Sequence, residues 1–119
     1  MSVVALCLGG SSALVRAEEE ISSATPTIID TLRRDAVRDR RLAESNLEAA
    51  RVRRNLEAMA RRNAARTSDP LEKRWWLDDV AGYVPIAEEL EAYARHLIQQ
   101  ADAFDARAAR LQAALDGKN

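Results

Sequence analysis

His96 is the single histidine of the chain, and proton or metal chemistry near neutral pH would most simply start from it. Such chemistry needs converging partners. Glu89 and Glu91 lie seven and five residues upstream, so the Glu-x-x-His spacing that brings two metal ligands onto one helix face is not met. The adjacent carboxylates, Glu18–Glu20, Asp78-Asp79 and Glu88-Glu89, diverge around a helix and do not form an acid–base pair. Cys7 stands alone, which excludes an internal disulfide and a cysteine-cluster metal site. No Gly-rich phosphate loop, calcium loop or nucleophile elbow occurs in the sequence. The residues therefore predict no catalytic centre, no metal and no cofactor, and the chain reads as a non-enzyme.

Two other features invite a functional reading. The arginines from Arg33 to Arg66 could grip phosphates, but Asp30, Asp35, Asp39, Glu44, Glu48 and Glu57 interleave with them. That stretch holds no aromatic on which a single-stranded base would stack, so a nucleic-acid partner is disfavoured. The net charge of −1 points the same way. Trp75-Trp76 is the second feature. Adjacent side chains on a helix point about 100° apart. Two readings stand level, one in which both indoles plug the hairpin tip with Leu71, Val80 and Tyr83, and one in which one of them is an interface anchor.

The elements that carry these residues follow from punctuation and period. Thr25 is expected to cap a helix with Pro26 at its first position, and neither Gly nor Pro recurs before Arg66. Thr67-Ser68-Asp69-Pro70 then stops and restarts the chain, with Asp69 or Ser68 as a cap. Gly82 and Val84-Pro85 predict a further break. The expected helices are thus 26–66, a short one over 70–80 at the turn, and 85–116. In the last of these, Ala87, Leu90, Ala94, Leu97, Ala101, Phe104, Ala108, Leu111 and Leu115 recur in steps of three and four, a heptad seam with alanine at one core position. The composition agrees, with 47% apolar residues, 31% charged and only 4% aromatic. The fold class is all-α: an elongated, coiled-coil-like antiparallel hairpin over 26–119, preceded by an N-terminal docking segment, 1–25, that is extended or short-helical.

A facing stripe on the first helix is sought among Ile29, Leu32, Ala36, Ala43, Leu47 and Ala50, continued by Leu42, Ala49, Val52, Leu56 and Met59. A fold-back over 67–85 sets Leu56 near Leu90, Ala49-Ala50 near Leu97, Leu42-Ala43 near Phe104, and Leu32 near Leu115. It also brings a basic helix against an acidic one. Residues 26–66 carry eleven Arg and six acids, whereas 67–119 carry six bases and ten acids.

In that register the chain before about residue 28 overhangs the hairpin, and Val3, Val4, Leu6, Leu8, Ile28 and Ile29 are expected to meet a partner together with Trp75 and Trp76. The expected partners are other protein chains, identical or different, in an assembly such as a virion, a secretion machine or a membrane-complex accessory. Rival readings are a self-associating four-helix bundle and an amphipathic protein lying on a membrane or lipid surface without spanning it. Val3–Leu8 is too short and too close to Gly9-Gly10 to cross a bilayer. A location in the cytoplasm or within a large assembly is favoured over a secretory signal, because no positive charge precedes the apolar run.

Overall fold

A computed structural model describes residues 22–118, in which two helices form an all-α antiparallel hairpin: α1, Thr25–Arg66, and α2, Pro70–Lys118. α1 is entered through Ser22 rather than capped by Thr25. The Ser22 hydroxyl accepts from the Ala24 amide at 3.2 Å, and the Ser22 amide donates to the Thr25 hydroxyl at 2.9 Å. This is the reciprocal logic of a capping box, with threonine in the place of the usual glutamate. Pro26 then falls late in the first turn, where the missing amide costs little because the Ser22 carbonyl is taken by the Thr25 amide at 3.1 Å. Thr25 itself is fully buried. At the other end of the turn Asp69 is the cap, its Oδ1 accepting from the Leu71 amide at 2.9 Å, with Pro70 at the first helical position.

The break expected between residues 80 and 85 does not occur. α2 runs unbroken from Pro70 to Lys118 with Pro85 inside it, so no separate short helix sits at the turn. A proline there forfeits one backbone bond and strains the turn before it, costing about 3 kcal/mol. The residues on either side offset that cost by burial, since Val80 and Ala87 are both in the core. Pro85 and Ala81, whose carbonyl loses its donor, are both exposed, where water serves as the replacement.

Burial along each helix follows a strict three-and-four alternation, so the contact positions take the letters a and d of a heptad. On α1 the a positions are Ile29, Ala36, Ala43, Ala50, Glu57 and Ala64; the d positions are Thr25, Leu32, Asp39, Asn46, Arg53 and Ala60. On α2 the a positions are Val80, Ala87, Ala94, Ala101, Ala108 and Leu115, and the d positions are Trp76, Tyr83, Leu90, Leu97, Phe104 and Leu111. All of them are buried or half-buried. The seam expected on α2 is thus the one that forms. The stripe expected on α1 is only half right, because Leu42, Leu47 and Val52 are exposed and polar residues occupy d positions in their stead.

Two packed units share these helices. In one, which joins the described residues up to Val37 with those from Ala101 on, Ile29 and Leu32 pack with Ala108 and Leu111, and Phe104 and Leu115 close the cluster. In the other, Arg38–Gln100, Ala43 packs with Ala94 and Leu97. Leu97 therefore meets Ala43 rather than Ala49-Ala50, a slide of one heptad from the expected register. The cause is the turn. With only Thr67, Ser68 and Asp69 between the helices, α2 starts fifteen residues earlier than expected and its partners on α1 shift accordingly. The same slide supplies Ile29, expected to overhang, with a partner inside the hairpin, where it is 2% exposed.

Asp39 is 2% exposed, and its Oδ1 accepts from Arg38 Nε and one terminal nitrogen at 3.3 and 3.2 Å while Oδ2 has no partner. An exposed arginine is ordinarily dispensable to stability. The bond of Arg38 to a buried carboxylate changes that expectation. Leu97→Asp should abolish the folded state, since an unpaired carboxylate in the seam costs several kcal/mol of a total of roughly 5–15. Arg38→Ala should cost about 1–3 kcal/mol by stripping Asp39 of its donor, whereas Arg62→Ala, at an exposed site, should stay within about 0.5 kcal/mol. Thermal melts followed by circular dichroism rank the three; equal shifts for Leu97→Asp and Arg62→Ala would contradict the seam.

Candidate interaction surface

An antiparallel pair of helices has two flanks, one where the e positions of both helices adjoin and one where the g positions adjoin. Within Arg38–Gln100 the e flank is bridged by charge. Arg54 donates from Nε and a terminal nitrogen to the two carboxylate oxygens of Glu91, at 3.1 and 2.9 Å, a fork that spans the helices. Arg54 also reaches Glu57 at 3.0 Å, and Arg61 donates to the other oxygen of Glu57 at 3.0 Å. Arg54 thus ties the basic helix to the acidic one, as the charge division along the chain predicts. Leu47 and Ile98 lie on the same flank, one heptad beyond the fork.

The fork sets the ionisation of its members. Its hydrogen bond to Arg54 holds the Glu91 carboxyl below the usual glutamate value, and bonds from Arg54 and then Arg61 do the same for Glu57. The Arg54 guanidinium is pushed further up, chiefly by its bond to Glu91.

The g flank of the same unit has a different character. Leu42, Ala49 and Leu56 occupy g on α1, with Val52 and Met59 beside them at c; Leu42 is 45% and Val52 47% exposed. The register places Ile86 and Tyr93, the g residues of α2, level with Leu56 and Ala49. Tyr93 is 52% exposed and stacks on His96, with ring centroids 6.4 Å apart. Trp75, at a c position of α2, is 61% exposed. Its neighbour Trp76 is a half-buried seam residue whose indole N–H donates to Glu72 at 3.3 Å. Both helices thus contribute large apolar side chains to one lateral face, while the core between them is mostly alanine.

The residues singled out from the sequence are distributed accordingly. Ile29 is spent on the hairpin core, Ile28 is partly exposed at a g position of the other unit, and Trp76 faces inward while Trp75 faces outward. Val3, Val4, Leu6 and Leu8 lie outside the described residues. Sequence reasoning missed Ile86 and Tyr93 as surface residues and assigned Leu42 and Val52 to the core. The signal was present: 42, 45, 49, 52, 56 and 59 form a second run of threes and fours beside the first. Among the described residues, no group of three or more His, Cys, Asp or Glu could hold a metal ion, and no helix is long and apolar enough to cross a membrane. No family model, no curated protein and no solved structure matches the chain.

Because Glu57 and Glu91 are depressed in the folded state, they stabilise the hairpin above the ordinary carboxylate range, and that contribution is lost as pH falls through their lowered values. The melting temperature should therefore drop between about pH 5 and pH 3. Glu91→Gln should melt lower at neutral pH and fall less steeply on acidification; an unchanged slope would remove the fork from the acid transition.

Proposed function

We propose that the protein is a non-enzymatic structural or adaptor subunit of a larger protein assembly, which it joins through coiled-coil contacts of its hairpin and through its N-terminal arm. One observation supports this reading above the others: in the unit Arg38–Gln100, Leu42, Val52, Trp75, Ile86 and Tyr93 lie exposed together on one flank, while six of the eight buried apolar residues are alanine. Exposed apolar residues arranged with helical period over about 26 Å of one helix are the usual signature of a surface that another helix covers. Trp and Tyr at its margin suit the anchoring role in which these residues are enriched at interfaces.

The test is the doubly substituted Leu42→Glu/Val52→Glu chain. Both positions are exposed, so its melt should stay close to that of the wild type. Its recovery among the proteins that co-purify from the native source should fall at least tenfold. Full recovery would remove the lateral face from the reading. Flotation with anionic vesicles, abolished by the same two substitutions, would instead favour an amphipathic surface binder.

The arm is tested separately. Deleting residues 1–21 leaves the Ser22 cap and the buried Thr25 in place, so the truncated hairpin should melt normally. It should nevertheless be lost from the assembly, because Val3, Val4, Leu6 and Leu8 are the proposed docking residues. A truncated chain that still assembles would sink the arm's role.

A further inference from the structure

We infer that the lateral face of the unit Arg38–Gln100 is the contact between two copies of this chain, with α1 of each copy lying antiparallel on α2 of the other. The inference rests on the reading of that face as an interface and names its occupant.

Gly82 carries the first argument. It sits at a c position of α2 on this face, far inside a helix where glycine costs about 1 kcal/mol relative to alanine. A Cβ built there would meet nothing within 4 Å, so no close approach inside the hairpin calls for it. A side chain from outside does. When α1 of a second copy lies on α2 at the same level, Met59 of that copy arrives over Gly82 and finds the space that a side chain would take. The same placement puts the copy's Leu56 on Ile86 and its Ala49 on Tyr93, large beside large and small beside aromatic.

Charge selects among the symmetric arrangements. The border of the face on α1 carries Arg41 and Arg62 toward its two ends, with Glu48 paired to Arg51 between them, and the α2 side carries Asp78, Asp79 and Glu89. A two-fold axis across the helices would lay α1 on α1 and α2 on α2, setting Arg41 of one copy toward Arg62 of the other and the acids of α2 toward one another. An axis along the helices lays α1 on α2 and brings Arg62 level with Asp79 of the copy. A C2 contact repeats each pairing twice, so the preference doubles. The result is a four-helix arrangement in which each neighbour is antiparallel.

The face is about 26 Å long and roughly two helices, or ~20 Å, wide, so each copy buries on the order of 500 Å², near the lower end for a specific contact. The pairing is therefore measured at tens of micromolar by sedimentation equilibrium. Wild-type protein should approach twice the chain mass of 13.2 kDa. Arg62→Glu and Asp79→Arg should each sediment as monomers, because each sets like charges together twice. An equimolar mixture of the two variants should recover the dimer, since both contacts are then complementary between unlike chains. Gly82→Leu, which fills the space without touching its own hairpin, should melt higher than wild type at dilutions where both are monomeric, and should fail to dimerise. A wild type that remains monomeric at ~100 µM, or a mixture that does not recover the dimer, would overturn the inference. Were Leu42→Glu/Val52→Glu still lost from the native assembly, the broader reading would stand and the occupant would be a different chain.

Discussion

Alanine at the a positions, packed against the residues of the facing helix, is the contact on which the hairpin depends. Of the nine a positions from Ala36 to Ala64 on α1 and from Ala87 to Ala108 on α2, eight hold alanine, with Glu57 the exception. Each methyl buries little, about 0.8 kcal/mol on transfer grounds. What small residues provide is proximity: helices seated on them approach toward the short end of the 8–10 Å range, where backbone and Cβ atoms make dispersion contacts that bulky side chains would prevent. The large seam residues come mostly from the d positions of α2, while Leu42, Val52 and Trp75 sit on the flank, where Leu56 and Met59 are covered only in part.

A periodic seam leaves its register underdetermined, because sliding one helix by seven residues again puts alanine opposite the same neighbours. Something without that period has to choose. The three-residue turn does so by geometry, and the Arg54–Glu91 fork does so by charge, since a heptad slide replaces Glu91 with Ile98 or Val84. Asp39 adds a third constraint from within. A buried carboxylate with one oxygen unpartnered contributes no obvious stability, but the seam accommodates it only beside Arg38. Polar residues at single core positions of coiled coils fix alignment at a cost in stability.

α2 was legible in the sequence from Ala87 onward because its apolar residues and its contact positions coincide. α1 was not, because at Asp39, Asn46, Arg53 and Glu57 the contact positions are polar, while apolar residues beside them trace a parallel run with the same period. Selecting by hydrophobicity followed the wrong run past residue 43, and the register error came with it. Pro85 misled for a different reason: its local preference for a break is real, but burial of Val80 and Ala87 on either side outweighs it. Ser22 is hidden as a cap behind Thr25-Pro26, the stronger local signal, and the capping box shows only in the hydrogen bonds.

The charge division along the chain has two uses, and the two flanks separate them. On the e flank the opposite charges are spent within the molecule, Arg54 on Glu91 and both Arg54 and Arg61 on Glu57. A hairpin that needed charge only to join its own helices would carry the same fork on the g flank. There the level positions hold Leu56, Ile86, Ala49 and Tyr93 instead, and the basic and acidic residues stand back at the borders of the apolar strip. Charges at a rim steer and align a partner without the desolvation cost of burying them, and apolar residues between them supply the contact. The e flank is thus a clasp within the molecule, while the g flank keeps charges beside an apolar strip, as the proposed contact between copies requires.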